Sequence, residues 1–134
     1  MSNQQEIHDL DIAATQSTPS VITDFQKGVM ELRGDSYPEN SFEFFKSLIA
    51  WVENYLAASA RPLHLELHLL YLNTSSVKAM MDIFELLENA HGGGREVSVH
   101  WHYHRENARI AELAEEFKED CNFSFEIIRD DATL

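Results

Sequence analysis

Residues 63–82 read Leu63-His64-Leu65-Glu66-Leu67-His68-Leu69-Leu70-Tyr71-Leu72-Asn73-Thr74-Ser75-Ser76-Val77-Lys78-Ala79-Met80-Met81-Asp82, and their periodicity changes once. Up to Leu69 every second residue is leucine and the residues between are histidine or glutamate, the period of a strand with one buried face. From Val77 the apolar residues Val77, Met80, Met81, Phe84 and Leu87 recur at helical spacing until Gly92-Gly93-Gly94 stops the run. A strand that feeds a helix through four polar residues is the unit of an α/β fold.

Working outward, the same unit appears on both sides. Upstream, Asn40 or Ser41 is a plausible N-cap for a helix carrying Phe42, Phe45, Leu48, Ile49, Val52, Tyr55 and Leu56, which ends before Arg61-Pro62. Before it, Val21–Phe25 and Val29–Arg33 form a hairpin across Gln26-Lys27-Gly28, and the segment from Gly34 to Pro38 breaks the sheet. Downstream, a strand over Glu96–Tyr103 leads to a helix with Ile110, Leu113, Ala114, Phe117 and Cys121 on its stripe, and Phe123, Phe125 and Ile127 make a last strand. The order is β-β-α-β-α-β-α-β. Strands separated by helices pair mostly in parallel with right-handed crossovers, so the expectation is one mixed, mostly parallel sheet with helices mainly on one face. Residues 1–18, rich in small polar side chains, are expected to be a mobile arm, 19–129 a single domain and 130–134 a tail.

The chain has 134 residues, enough for one core, and a formal net charge of −13, which opposes binding to nucleic acid or to anionic membranes. No apolar run approaches the length of a membrane span, and Met1 to Leu10 lacks the basic-then-apolar pattern of a signal peptide. The one cysteine, Cys121, has no partner in the chain for a disulfide. A reducing cytoplasm and protein or small-molecule partners are expected.

Three consecutive hydroxyls, Thr74, Ser75 and Ser76, stand where the strand hands over to the helix. Helix capping by Asn73, Thr74 or Ser75 is sufficient reason for such residues there. Phosphorylation is the functional reading: a helix N-terminus tolerates a phosphate, and a group of about −1.5 to −2 charge alters what the surface binds.

The run Tyr71-Leu72-Asn73-Thr74-Ser75-Ser76-Val77-Lys78-Ala79-Met80-Met81-Asp82 resembles the SiaC family of bacterial regulatory phosphoproteins. So do Gly34-Asp35-Ser36-Tyr37-Pro38-Glu39-Asn40-Ser41, Trp101-His102-Tyr103, Thr15-Gln16-Ser17-Thr18-Pro19 and Ala111-Glu112-Leu113-Ala114-Glu115-Glu116-Phe117. The layout is also similar to the STAS domains of anti-sigma-factor antagonists. The resemblance implies a partner-switching protein and not an enzyme. A dedicated Ser/Thr kinase with a histidine-kinase-like fold would phosphorylate Thr74, and a metal-dependent Ser/Thr phosphatase would reverse it. The unphosphorylated form would bind and activate a GGDEF-type diguanylate cyclase, promoting cyclic di-GMP synthesis, aggregation and biofilm growth. Asn73, Ser75, Ser76 and Lys78, with Tyr37 and Asn40, are the residues expected to meet the partner; no cofactor is implied.

His64 and His68 share a strand side with Glu66, and His100, His102 and His104 share a side of the next strand, so parallel pairing would put five histidines on the less apolar sheet face. Strand-borne His-x-His binds zinc in some proteins, and a metal-dependent enzyme on this face is the alternative reading. No cysteine and no acidic motif at ligand spacing accompanies them, so the expectation is a polar face without metal. A hydrolase is disfavoured because no Gly-x-Ser-x-Gly elbow or oriented base accompanies the hydroxyls. The triple glycine follows a helix, the reverse of a phosphate-binding loop. Glu112, Glu115, Glu116, Glu119 and Asp120 read as the solvated face of the third helix.

Overall fold

The computed structural model describes residues 8–130. The alternating leucines form the centre of a six-stranded sheet. Its strands are β1 (Asp11–Ile12), β2 (Ser20–Asp24), β3 (Val29–Ser36), β4 (Leu63–Leu72), β5 (Val97–His104) and β6 (Ser124–Asp130), side by side in that order. The helices are α1 (Ser41–Ala58), α2 (Thr74–Gly92) and α3 (Ala108–Glu119). β1, β2 and β3 pair antiparallel, while β3 to β6 are parallel. Each crossover steps one strand in the same direction, and right-handed crossovers that never reverse place their helices on one face.

Register makes that face. Thr23, Met30, Leu65, Val99 and Phe125 lie in one row across five strands, and Val21, Leu32, Leu67, Trp101 and Ile127 in the next. Leu63, Leu65 and Leu67 are wholly buried, each contributing about 1.5–3 kcal/mol relative to exposure. Phe45, Leu48 and Val52 of α1, Met80, Ile83 and Leu87 of α2, and Ile110 and Ala114 of α3 complete the same core. Met81 and Phe42, expected on helix stripes, are exposed, and Cys121 lies beyond the end of α3 with its thiol donating to the Phe117 carbonyl at 3.3 Å.

Two expectations change. The sheet has one strand more than the sequence pattern indicates, because β1 lies within the arm and pairs with β2. The described part of that arm is held by polar contacts that carry no hydrophobic period: the Asp9 carboxylate accepts from Trp51 Nε1 at 3.1 Å, Phe25 N at 2.9 Å and Thr23 Oγ1 at 3.0 Å. Residues 1–7 of the arm and 131–134 of the tail lie outside the described residues.

The second change concerns Gly34, expected to break the sheet. β3 runs through it to Ser36, and the register jumps there: Gly34 pairs with Leu69, but Asp35 pairs with Tyr71, leaving Leu70 as the extra residue of a bulge. Gly34 has φ of 120°, a backbone that β-branched or bulky residues do not adopt without strain. The bulge resets the alternation, turning Leu72 into the core and leaving Leu70 and Tyr71 exposed. No helix among the described residues is long and apolar enough to cross a membrane.

Candidate functional site

The parallel strands β3, β4 and β5 deliver their carboxyl ends to three helix N-termini on one rim. Each helix is capped by asparagine: Asn40 Oδ1 accepts from Glu43 N at 3.1 Å, Asn73 Oδ1 from Ser76 N at 2.9 Å, and Asn107 Oδ1 from Ile110 N at 3.2 Å. The carboxyl ends of the strands are where α/β sheets place their sites, because the helix N-termini aim free N–H groups there. The strand order has no reversal, so the sheet has no topological switch point, and the concavity at this rim lies between the starts of α2 and α3. The rim is an open surface.

The three hydroxyls at this rim have different fates. Ser76 is fully buried, its Oγ 2.8 Å from Ser36 Oγ and 3.5 Å from Ser41 Oγ. Ser75 is exposed, but its Oγ sits 2.7 Å from Ser41 Oγ and 3.3 Å from Asn73 Oδ1. Thr74, first residue of α2, is exposed and its hydroxyl bonds to no described residue. Asn73 does the capping, which leaves Thr74 free of that structural task.

The other expected residues divide the same way. Tyr37 is exposed and packs edge-on against Tyr71, with ring centres 6.0 Å apart, and its N–H donates to the Ser17 carbonyl at 2.7 Å. Asn40 is exposed at the start of α1, and Lys78, one turn beyond Thr74, pairs with Asp82 at 3.1 Å. Asn73 donates its own N–H to the Ser36 carbonyl at 2.9 Å, so the Gly34–Ser41 segment and the Asn73–Ser76 segment form one unit. Ser76, expected at the contact surface, is inside that unit and supports it instead.

Sequence reasoning missed the apolar surroundings. Leu70 and Tyr71 stand out at about half exposure and Phe42 at 76%. The bulge exposes the first two, and a bulge cannot be read from β4 alone. On the other side of Thr74 a concavity is lined by Val77, Asn107, Arg109, Ile110 and Leu113. The Asn107 amide donates to the Leu70 carbonyl at 3.0 Å, tying the α3 terminus to the bulge. No histidine or carboxylate bonds to the hydroxyl of Thr74, Ser75 or Ser76 among the described residues.

The histidines line the opposite sheet face, as expected from parallel pairing of β4 and β5, and the acid lacking in the sequence pattern is Glu66 itself. His64 Nε2 lies 2.6 Å from Glu66 Oε1, His102 Nε2 2.5 Å from Oε2, and His100 Nδ1 3.5 Å from Oε1. Partial burial pushes the Glu66 carboxyl up, but hydrogen bonds from His64 and His102, with their charge, outweigh it and hold it below the usual value. His68 stacks on His102 with ring centres 4.2 Å apart. Burial, then Arg33 and His102, push the His68 imidazole below its ordinary value.

Comparison with known proteins agrees with the resemblance read from the motifs. The model of the SiaC family of regulatory phosphoproteins matches residues 12–130. An uncharacterized protein of Pseudomonas aeruginosa strain UCBPP-PA14 is 63% identical over 119 residues, which are 89% of this chain and 94% of that one. SiaC of Pseudomonas aeruginosa is 60% identical and superposes with a TM-score of 0.87 over 92% of this chain and 99% of its own. In a crystal structure of the diguanylate cyclase SiaD with its activator SiaC from the same organism, the matching chain is 61% identical, with a TM-score of 0.89 over 91% of this chain and all of its own. The chain belongs to the SiaC family of regulatory phosphoproteins.

Proposed function

We propose that this protein is a partner switch in which the phosphorylation state of Thr74 decides which protein the three-helix rim binds. Unphosphorylated, it binds and activates a GGDEF-type diguanylate cyclase in the cytoplasm. A dedicated Ser/Thr kinase of histidine-kinase-like fold adds the phosphate and a metal-dependent phosphatase removes it, so that cyclic di-GMP synthesis, aggregation and biofilm growth follow the dephosphorylated fraction. The observation that carries the site is Thr74 itself: of the three junction hydroxyls it alone is both exposed and without a hydrogen-bond partner among the described residues. The activator role rests on the solved complex of a family member that is 61% identical with a diguanylate cyclase.

The physics of the switch follows from the surroundings. Leu70, Tyr71, Tyr37 and Phe42 offer the aromatic and apolar area that anchors protein interfaces, and Leu70 and Tyr71 line one concavity with Thr74, which stands at a helix N-terminus. A phosphate is tolerated by the fold there, because the N–H groups of the first turn and the dipole favour it. Against a partner shaped for a neutral hydroxyl the same phosphate must be desolvated, which costs several kcal/mol unless cations meet it. Phosphopeptide mapping after reaction with the kinase tests the assignment: phosphate on Thr74 supports it, and phosphate confined to Ser75 overturns it.

A further inference from the structure

On the sheet face away from the helices, Glu66 and His100 are direct cross-strand neighbours, and His64 stands opposite Ser98 one step earlier. Parallel pairing in this register brings one ligand atom each of His64, Glu66 and His100 within 4.8 Å of one another, with His64 Nε2 and His100 Nδ1 both facing Glu66 Oε1. Two imidazoles and a carboxylate bound to one tetrahedral ion at about 2.0–2.2 Å lie roughly 3.3 Å apart. The distances to Glu66 Oε1, 2.6 and 3.5 Å, bracket that value, so small side-chain adjustments suffice.

What separates this arrangement from a chance cluster is the hydrogen-bonded support behind His64 and Glu66. His64 Nδ1 is 2.7 Å from Ser98 Oγ, so the hydroxyl can take the Nδ1 proton and leave Nε2 as the donor atom. His100 turns its other nitrogen toward Glu126 Oε1 at 4.0 Å. His102 Nε2–H donates to Glu66 Oε2, keeping Oε1 turned to the other two, and His102 Nδ1 faces Asp130 Oδ1 at 3.3 Å. Hydroxyl and carboxylate partners on the far side of each ligand are what orient metal-binding histidines. The second possible group, Glu66 with His68 and His102, is less suited. Those two rings are parallel to within 6° and stacked, so their in-plane lone pairs cannot converge on one ion.

We propose that His64, Glu66 and His100 bind one divalent transition-metal ion, of which Zn2+ is the probe, with the fourth position left to water. Ion entry exchanges the direct His64–Glu66 hydrogen bond for two metal bonds. The Nε2 proton of His64 moves to Nδ1, where Ser98 accepts it, and Glu66 enters already ionised. The two-histidine, one-carboxylate set suits zinc or iron(II), and its oxygen and nitrogen donors do not select copper(I).

The test is calorimetric titration of the untagged full chain with Zn2+, and with Co2+ read by its visible absorption. Binding of one equivalent is expected, with the cobalt spectrum of a four-coordinate site. Glu66→Gln and His100→Ala should each lower zinc affinity about tenfold or more, whereas His68→Ala should stay within about threefold. Circular dichroism of each variant checks folding, and His100→Ala, at a half-exposed position, serves if Glu66→Gln misfolds. Failure of the wild type to bind Zn2+ below millimolar concentration would overturn the proposal. So would equal binding by the wild type and the folded Glu66 and His100 variants, since the ion would then sit elsewhere.

Discussion

Ser36 Oγ and Ser76 Oγ lie 2.8 Å apart in the interior, forty positions apart in sequence, and neither side chain reaches solvent. This contact joins the end of β3 to the first turn of α2, which Thr74 begins, and Ser41 extends it to the start of α1. A buried hydroxyl pair is worth little net while both partners are present and costs much when one is left alone. Ser36→Ala should therefore destabilise by about 1–2 kcal/mol, and Ser36→Ala with Ser76→Ala by less than the sum of the single changes. Urea denaturation of the four proteins measures the coupling.

Gly28 has φ of 70°, and a Cβ on it would stand 2.3 Å from the Pro62 carbonyl oxygen and 2.4 Å from Tyr55 Oη. Those two atoms are hydrogen-bonded to each other at 2.8 Å, so neither can give way freely. Gly28→Ala should cost about 2–4 kcal/mol, combining the left-handed backbone with overpacking. The midpoint of thermal or urea unfolding reads it.

How far the sequence alone reveals the fold depends on what holds each element. β4, α2 and α1 are visible because burial imposes a period on their leucines and aromatics. β1 is two residues long and the segment before it is held through the Asp9 carboxylate, interactions with no period to detect. Within the site, Thr74 and its neighbours stand out by motif. Which hydroxyl is exposed depends on Ser36 and Ser41, brought in from another strand and helix, so spacing alone cannot rank Thr74, Ser75 and Ser76. Glu66 is similar: it reads as the polar side of a strand until the pairing of β4 with β5 surrounds its carboxylate with histidines.

Acidification should destabilise the fold through the histidine face. The His68 pKa is lowered in the folded state, first by burial and then by the charges of Arg33 and His102, which outweigh the opposing pull of Glu66 and Asp130. The unfolded chain therefore binds the proton first, so stability present above the unfolded value of about 6.5 is lost as pH falls through the lower folded value. Glu66 adds the same sign further down, below its ordinary range. Thermal unfolding of metal-free protein from pH 7.5 to 5 should show a falling midpoint, with a shallower slope in His68→Asn.

Cys121 should be a slow thiol. Burial, then the charges of Glu88 and Asp120, push its pKa up to about 11, so little thiolate exists near neutrality. Alkylation by iodoacetamide at pH 8 should run well below the rate of a free cysteine peptide, and unfolding in urea should restore it.

The central claim is that charge at Thr74 governs docking, and two substitutions separate charge from loss of the hydroxyl. Because Asn73 caps α2, Thr74→Ala should cost less than about 0.5 kcal/mol in stability, whereas Asn73→Ala should cost about 0.5–2 kcal/mol. The most direct measurement is calorimetric titration of the diguanylate cyclase with wild type, Thr74→Ala and Thr74→Asp, each confirmed folded, with cyclic di-GMP output recorded beside it. Thr74→Ala should bind within about threefold of wild type and still activate, and Thr74→Asp should lose about tenfold or more, equivalent to about 1.4 kcal/mol. Wild-type affinity and activation by Thr74→Asp and by the protein phosphorylated at Thr74 would contradict the account, because charge at Thr74 would then not govern the interface.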